Sequence, residues 1–378
     1  MPRGSARQLD AVEAREEDRT WKLTGEAEKS EGGEEMPAKW PRALMVGMLI
    51  AASVAPASAQ SIKLRLADNL PPTHFLANFA TRFFMEEVTK RTSGQVTFDY
   101  YPSEQLGKAA DMLTLVQNGV TDIGLVTPAI ISQKLSLSAI VEQPDTFTTS
   151  CEATLTYLKL GRSGFLEKHE FAANGVRLVL AYVNPPYQLY SGKREIRALS
   201  DLSGMKLRSP PGLLSIVVQK LGAVPVRTST TETYEALSRG TVDGLLFPVP
   251  TVLSYDLQAH IKFYTEGLNF GSASNAYVIS EAKWRSLPEG VRAALDEVGE
   301  AATRRGCEMT DADVAKSYAK FQELGIKKIS FNDEERAKLK ERLANVSEEW
   351  AKGVESRGKP AKAGLASFAE AMKELRAK

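Results

Sequence analysis

Two segments of this 378-residue chain repeat one local pattern. They are residues 108–128 and 230–250; in each, the periodicity of an amphipathic helix ends at a glycine, an aspartate follows three residues later, and an apolar strand pattern comes next. A further strand candidate precedes each copy, at 95–101 and at 223–229. A strand, a helix and a strand joined by short links predict a right-handed βαβ crossover and a mainly parallel sheet. The repeat therefore predicts an α/β fold with two similar lobes, and it leaves open one large sheet that holds both crossovers.

The rest of the chain adds strands around this pattern and long helices after it. The periodicity predicts a strand at 62–67, a long amphipathic helix that ends at Gly94, a strand at 277–279 and a long helix from about Pro288. From Phe331 onward the pattern is helical. We therefore predict α/β lobes that are clamped by helices, with a helical C-terminus.

Residues 36–59 contain the three parts of an export signal. A basic start at Met36 is followed by an apolar stretch of about 13 residues and by Ala-Ser-Ala at 57–59, which suits signal peptidase. A transmembrane anchor is the alternative, but a span needs about 20 apolar residues. We therefore predict translation from Met36, cleavage before Gln60, and an exported protein that does not span the membrane after cleavage. The charge-rich residues 1–35 are then a disordered or wrongly assigned N-terminal extension.

The sequence contains no pattern typical of catalysis. His74, His169 and His260 are isolated, and no pair of them has the spacing of metal ligands on a helix. The segment GRSGF does not complete a nucleophile elbow, and no phosphate-binding glycine loop is present. The aspartates of the repeat, Asp122 and Asp243, are interpreted as turn-stabilising residues rather than as an acid–base pair. We therefore expect no enzyme activity, no cofactor and no metal site.

Composition argues against a nucleic-acid partner and does not decide whether the two cysteines are bonded to each other. The formal net charge is +1, and no basic stripe interleaved with aromatic residues marks a nucleic-acid binder. Cys151 and Cys307 fit two small buried hydrophobic residues better than a bridge, although an oxidising compartment permits a disulfide.

A short strand pattern ends on an arginine in the segment LSGMKLRSPPG. Met205 and Leu207 alternate with Lys206 and Arg208, as in a half-buried strand. The strand must end there, because the two prolines that follow cannot continue a central ladder. Ligand sites of open α/β sheets lie at the carboxyl ends of strands. Arg208 is therefore a candidate ligand-binding residue; the alternative is a surface cation beside a turn.

Four motifs, in order and at matching spacings, resemble one family: the periplasmic solute-binding proteins of tripartite ATP-independent periplasmic (TRAP) transporters, of the DctP type. YPSEQLG, a helix and GVTDIGLV are similar to the family's Y-P-x-x-Q-L-G, helix, G-x-x-D-I/M block. DLSGMKLRSP is similar to D-L-x-G-x-K-x-R, and LGAVPVRTSTTETYEALSRGTVDG to L-G-A-x-P-V with Y-x-A-L-x-x-G-x-V-D-G. KWRSLPEGVRAAL resembles the start of the family's long connecting helix. The resemblance runs from Ile62 to about the end of the helical tail.

This resemblance implies a two-lobed periplasmic receptor, joined by a hinge and a long connecting helix, that closes around a small organic acid. Such a receptor delivers its ligand to the TRAP membrane permease subunits and needs no cofactor. Lobe I is predicted at 60–185 plus 272–311, and lobe II with the C-terminal helices at 186–271 plus 312–378. A periplasmic enzyme on similar lobes and a chemosensory or scaffold protein are the alternatives.

The resemblance also implies a set of ligand contacts. The family's carboxylate-binding arginine falls on Arg208, a second basic or polar contact falls on Tyr187, and the segment often read V-D-G-Q-E-N-P is VDGLLFP here. Leu246 and Phe247 therefore replace polar contacts with an apolar and aromatic wall. We predict a monocarboxylate with an apolar or aromatic body; an ordinary C4-dicarboxylate or hydroxy or keto acid is the alternative. Further candidates, where the family lines its cleft, are Asn69, His74, Thr127 and Tyr234.

Overall fold

Eleven strands lie in residues 61–377, the part of the chain that the computed structural model describes, and they form two sheets. The strands are β1 (Ile62–Ala67), β2 (Val96–Tyr101), β3 (Ile123–Val126), β4 (Val176–Val183), β5 (Gln188–Ser191), β6 (Lys206–Ser209), β7 (Val224–Arg227), β8 (Gly244–Phe247), β9 (Phe263–Thr265), β10 (Ser274–Ser280) and β11 (Lys327–Ile329). The α-helices are α1 (Arg82–Arg91), α2 (Met112–Gln117), α3 (Ser150–Ser163), α4 (Leu213–Lys220), α5 (Thr233–Ser238), α6 (Val249–Ser254), α7 (Glu281–Ser286), α8 (Glu289–Glu323), α9 (Asp333–Leu343), α10 (Val346–Glu355) and α11 (Ala361–Arg376). The predicted extension at 1–35, the signal peptide at 36–59 and cleavage before Gln60 lie outside the described residues.

The sequence repeat corresponds to two copies of one β–α–β–α–β unit. In the first copy the strands lie in the order β2-β1-β3, and in the second they lie in the order β7-β6-β8, with every pair parallel. The connecting helices are α1 and α2 in the first copy, and α4 and α5 in the second. Because the copies belong to different sheets, the predicted pair of α/β units is confirmed and the single large sheet is wrong.

The aspartate of each repeat forms hydrogen bonds that link the last strand of its unit to the first. The carboxylate of Asp122 accepts the backbone N–H of Arg65 in β1 at 2.8 Å, and that of Asp243 accepts the N–H of Lys206 in β6 at 2.9 Å. The backbone N–H of each aspartate donates in return to the carbonyl of the same residue. These bonds run between strands, which corrects the prediction that the two aspartates stabilise their own turns.

Both sheets are mainly parallel, as the crossovers predict, but each contains one strand that runs against the others. In the five-stranded sheet, of order β2-β1-β3-β10-β4, β10 lies antiparallel between β3 and β4. In the six-stranded sheet, of order β11-β9-β5-β8-β6-β7, β5 lies antiparallel between β8 and β9. The chain passes between the sheets after β4 and again before β10, near the predicted lobe boundaries at 185 and 272. The assignment of whole segments to lobes I and II stays a prediction.

The longest helix, α8, connects the cores of the two sheets. It runs for 35 residues and follows Pro288, as the sequence predicts. Leu295 near its start lies in a core with residues of β1, β3 and β10. Phe321 near its end packs against the rings of Tyr190 and Tyr264, in β5 and β9. After α8 the chain adds β11 to the edge of the six-stranded sheet, a strand that the sequence did not predict.

A disulfide joins α8 to α3. Cys307 lies buried in the middle of α8 and is bonded to Cys151 in the first turn of α3; their Cα atoms are 4.8 Å apart. Of the two alternatives left open by the sequence, the pair of unlinked buried cysteines is wrong.

Three helices complete the chain and confirm the predicted helical C-terminus. The helices α9 and α10 pack against α4, whereas α11 packs against α3 and the helical turn Leu137–Val141. The approach of α11 is close, since a Cβ on Gly364 would lie 2.7 Å from the ring of Phe165. α11 therefore contacts elements of the predicted lobe I, although the prediction groups it with lobe II. Within residues 61–377, none of the helices combines the length and the apolar character that crossing a bilayer requires.

Candidate ligand-binding site

A cavity lies where the carboxyl ends of strands from both β–α–β–α–β units come together. Asn69 follows β1, Thr127 follows β3, Arg208 lies near the end of β6, and Phe247 ends β8. Ligand sites of open α/β sheets form at such strand ends. The cavity has a volume of about 40 Å³, far below the several hundred Å³ of typical ligand pockets. Its walls must therefore move apart to admit an organic molecule.

Arg208 is the one charged side chain among the described residues that line this cavity. Only 2% of Arg208 is exposed. The strand was predicted to be half-buried, but at this residue it is fully buried. Its Nη2 is 3.5 Å from the hydroxyl of Thr230, its Nε has no partner, and no described carboxylate forms an ion pair with it. Burial lowers the pKa of Arg208 to about 10, because removal from water disfavours the charged form. The site thus holds a buried cation that lacks a counter-ion, which is an unfavourable state until an anion binds.

Aromatic rings form the wall beside this cation. The guanidinium carbon of Arg208 lies 4.6 Å from the centre of the Phe247 ring, and the Tyr187 ring lies 6.0 Å from that of Phe247. The Tyr187 hydroxyl accepts a hydrogen bond from Nδ2 of Asn184 at 3.4 Å. Burial raises the pKa of Tyr187 although the positive charge of Arg208 opposes the change, so the phenol stays neutral. The wall therefore offers ring faces and a neutral hydroxyl rather than a second charge.

The other side of the cavity carries neutral polar groups. His74 is 4% exposed, and burial lowers its pKa to about 3, so its imidazole is uncharged at neutral pH. Asn69 is 5% exposed, and its Oδ1 has no hydrogen-bond partner. Thr127 is already engaged, because its hydroxyl donates to Oδ1 of Asn275 at 2.9 Å. The arrangement can therefore hold one carboxylate at Arg208 and can offer uncharged hydrogen-bonding groups elsewhere.

The family of the chain follows from a comparison of sequences. The DctP family model, described as bacterial extracellular solute-binding protein, family 7, matches residues 66–353. This chain belongs to the DctP family. The family consists of non-enzymatic receptors that bind small solutes and work with TRAP permeases. The match confirms the resemblance that the four sequence motifs carry.

Individual DctP-family relatives support the same fold. The C4-dicarboxylate-binding periplasmic protein DctP of Rhodobacter capsulatus is 25% identical over 304 residues, which cover 79% of this chain and 89% of that protein. A TRAP periplasmic solute-binding protein from Bordetella bronchiseptica, solved with bound (R)- and (S)-mandelate, matches with a TM-score of 0.75 and 24% identity, covering 83% of this chain and 99% of that one. A TRAP solute-binding protein from Rhodoferax ferrireducens, solved with copurified benzoate, matches with a TM-score of 0.76 and 20% identity, covering 83% and 98%.

Six of the eight predicted ligand contacts line the cavity, and two do not. The six are Arg208, Tyr187, Phe247, Asn69, His74 and Thr127. Leu246 lies outside it and packs in the core opposite Leu189, because neighbouring residues of a strand point to opposite faces. Tyr234 lies on α5, is 39% exposed, and packs its ring against His260. For all eight residues a role in ligand binding stays a prediction.

The sequence reasoning missed several residues that line the cavity. Among them are Thr230, whose hydroxyl lies beside Arg208, and Tyr255, whose ring packs on His74. Tyr255 directly follows α6, which begins just after β8. Its position shortly after the VDGLLFP segment, which was already assigned to the ligand site, was the signal in the sequence that could have identified it. No cluster of three or more His, Cys, Asp or Glu side chains suited to a metal ion occurs in residues 61–377.

Proposed function

We propose that this DctP-family protein is the extracytoplasmic receptor of a TRAP transporter for a small organic monocarboxylate with an apolar or aromatic body. The observation that carries the proposal is the buried guanidinium of Arg208, which lines a cavity and has no carboxylate partner in the described residues. Its planar fork suits a ligand carboxylate, with two parallel hydrogen bonds to the two oxygens. Exclusion of water around the pair strengthens the attraction.

A single charge in the cavity favours a monocarboxylate. A dicarboxylate would bury a second negative charge opposite neutral groups, and an unpaired buried charge is strongly unfavourable. The rings of Phe247 and Tyr187 instead suit an apolar or aromatic body. The structures with bound mandelate and benzoate support this class. The C4-dicarboxylate-binding relative makes a dicarboxylate the second candidate.

The same proposal includes export and delivery to a permease. The signal at 36–59 would direct the chain to the periplasm, and the disulfide between Cys151 and Cys307 suits an oxidising compartment. The ligand would close the two lobes by hinge motion, because it binds the closed state more tightly than the open one. We propose no chemical step on the ligand.

Calorimetry and thermal unfolding test the proposal on protein purified from the periplasm. The panel contains benzoate, mandelate, phenylacetate, pyruvate, succinate, malate, a sugar and neutral amino acids. A monocarboxylate at about 100 times its Kd should raise the free energy of unfolding by about 2.7 kcal/mol. Arg208→Ala should abolish this effect, while Arg177→Ala, which removes an arginine paired with Asp296, should keep it.

Three results would contradict the proposal. They are stabilisation by sugars or amino acids alone, an equal response of Arg208→Ala, and consumption of the bound acid seen by nuclear magnetic resonance. Stronger binding of succinate or malate than of any monocarboxylate would select the second candidate.

A further inference from the structure

The side chain of Asn69 lines the cavity with an unused acceptor. Its Oδ1 is buried and has no hydrogen-bond partner in the part of the chain that the structure describes. A buried amide oxygen has lost its contact with water, and without a new partner this loss is uncompensated. A ligand group that donates a hydrogen bond to Oδ1 would provide the compensation.

His74 lines the same cavity and supplies a neutral donor. The backbone N–H of Leu76 donates to Nδ1 of His74 at 3.1 Å, so the proton of the neutral ring is on Nε2. Because burial keeps the pKa of His74 far below neutral, the ring carries no positive charge. The segment that follows β1 therefore brings both an N–H donor, on His74, and a free acceptor, on Asn69, to the lining of this cavity.

The backbone on both sides of Asn69 is held in place. The N–H of Ser103 donates to the carbonyl of Leu70 at 3.0 Å, and the N–H of Glu104 donates to the carbonyl of Asp68 at 3.0 Å. Ser103 and Glu104 have φ angles of 54° and 62°, in the left-handed region that residues other than glycine seldom adopt. Such a conformation persists only where surrounding bonds hold it. The amide of Asn69 is thus presented from a fixed loop, which favours selective binding.

We propose that Asn69 and His74 form a hydroxyl-reading pair, which selects hydroxylated acids among the monocarboxylates held by Arg208. The ligand hydroxyl donates its proton to Oδ1 of Asn69 and accepts the Nε2–H of His74. A second carboxylate does not fit, because it has no proton to donate at neutral pH and the uncharged ring does not compensate its charge. This inference rests on the proposed function, since Arg208 holds the other end of the ligand.

Matched pairs of acids test the inference by calorimetry on the full chain purified from the periplasm. The pairs are phenylacetate with mandelate, propionate with lactate, and benzoate with its ortho-, meta- and para-hydroxy derivatives. In at least one pair the wild type should bind the hydroxylated acid about tenfold more tightly than the parent acid. In Asn69→Ala that ratio should fall to about one, with a small change in the Kd of the parent acid. Asn78→Ala, an exposed asparagine outside the cavity, is the control and should keep the ratio.

The outcomes separate this inference from the proposal on which it rests. If parent and hydroxylated acids bind equally in every pair, or if Asn69→Ala keeps the preference, the hydroxyl-reading pair is refuted while the carboxylate receptor stands. If pyruvate binds more tightly than lactate, a keto oxygen and not a hydroxyl is read, and the inference is likewise wrong. If none of these acids binds, both proposals fail. The wild-type ratios need no variant, so a folding defect of Asn69→Ala cannot hide the answer.

Discussion

Replacement of Arg208 by methionine should make the ligand-free protein more stable, although it removes the residue proposed to bind the ligand. Burial lowers the pKa of Arg208 to about 10, which is below its value in an unfolded chain. Below about pH 10 the side chain is charged in both the folded and the unfolded state, but its charge is less favourable in the folded one. This lowers the free energy of unfolding by about 3 kcal/mol at neutral pH. The substitution also removes the contact between the guanidinium and the Phe247 ring, which offsets about 1 kcal/mol of the gain in stability. The net expectation for Arg208→Met is a gain of about 2 kcal/mol.

Denaturation of protein that has been unfolded and refolded without ligand measures this gain. The thermal midpoint of Arg208→Met should rise by about 3 °C, since an unfolding entropy of about 2.1 cal/mol/K per residue makes 1 kcal/mol correspond to about 1.5 °C in a chain of this size. Arg177→Met is the matched control, because Arg177 also lies over a ring, 4.5 Å from the centre of Trp284, but is paired with Asp296 at 3.3 Å. It should lose stability. The reasoning is refuted if Arg208→Met is less stable than the wild type, or if both variants lose stability alike.

Three further predictions concern pH, the disulfide and the aromatic wall. Burial raises the pKa of both Glu142 and Glu170 to about 7, so the unfolded chain loses these protons near pH 4.5 and the folded chain only near pH 7. Stability should therefore fall as the pH rises through this interval, and Glu142→Gln should flatten the slope in denaturation curves measured from about pH 5 to about pH 8. Replacing both Cys151 and Cys307 by alanine should lower the free energy of unfolding by about 5 kcal/mol, given their sequence separation of 156, and an unchanged denaturation midpoint would contradict this. Phe247→Leu should weaken binding of every accepted acid about fivefold by removing the ring under the guanidinium, and calorimetry that finds an unchanged Kd would show that the ring only fills space.

The repeated units could be predicted because their signals are local. The ends of the two amphipathic helices were fixed by glycine, and Gly119 and Gly240 both have a φ of 69°. The carboxyl end of β6 was fixed by the prolines that follow it, which placed Arg208 beside the cavity. Such features depend on a few neighbouring residues, so they can be read without knowledge of the fold.

The neighbours of each strand could not be predicted, because pairing depends on distant residues. Ala276 of β10 lies beside Val126 of β3, and no periodicity links positions so far apart. The same holds for the disulfide. Leu246 was misplaced for a related reason: all four residues of β8 are buried, so no alternation of polar and apolar side chains indicated which face borders the cavity.

The disulfide links the middle of α8 to α3. The part of the helix from Cys307 to Glu323, here called the arm, extends beyond this link. Cys307 is 16 residues before Glu323, the last residue of the helix, and at about 1.5 Å per residue the arm is about 24 Å long. With Cys307 as the fulcrum, a bend of about 10° would displace the tip by about 4 Å. The helix would act as a lever that magnifies a small rotation between the sheets. A spectroscopic label at Glu323 should therefore report that rotation, whereas one at Glu289 should stay nearly still.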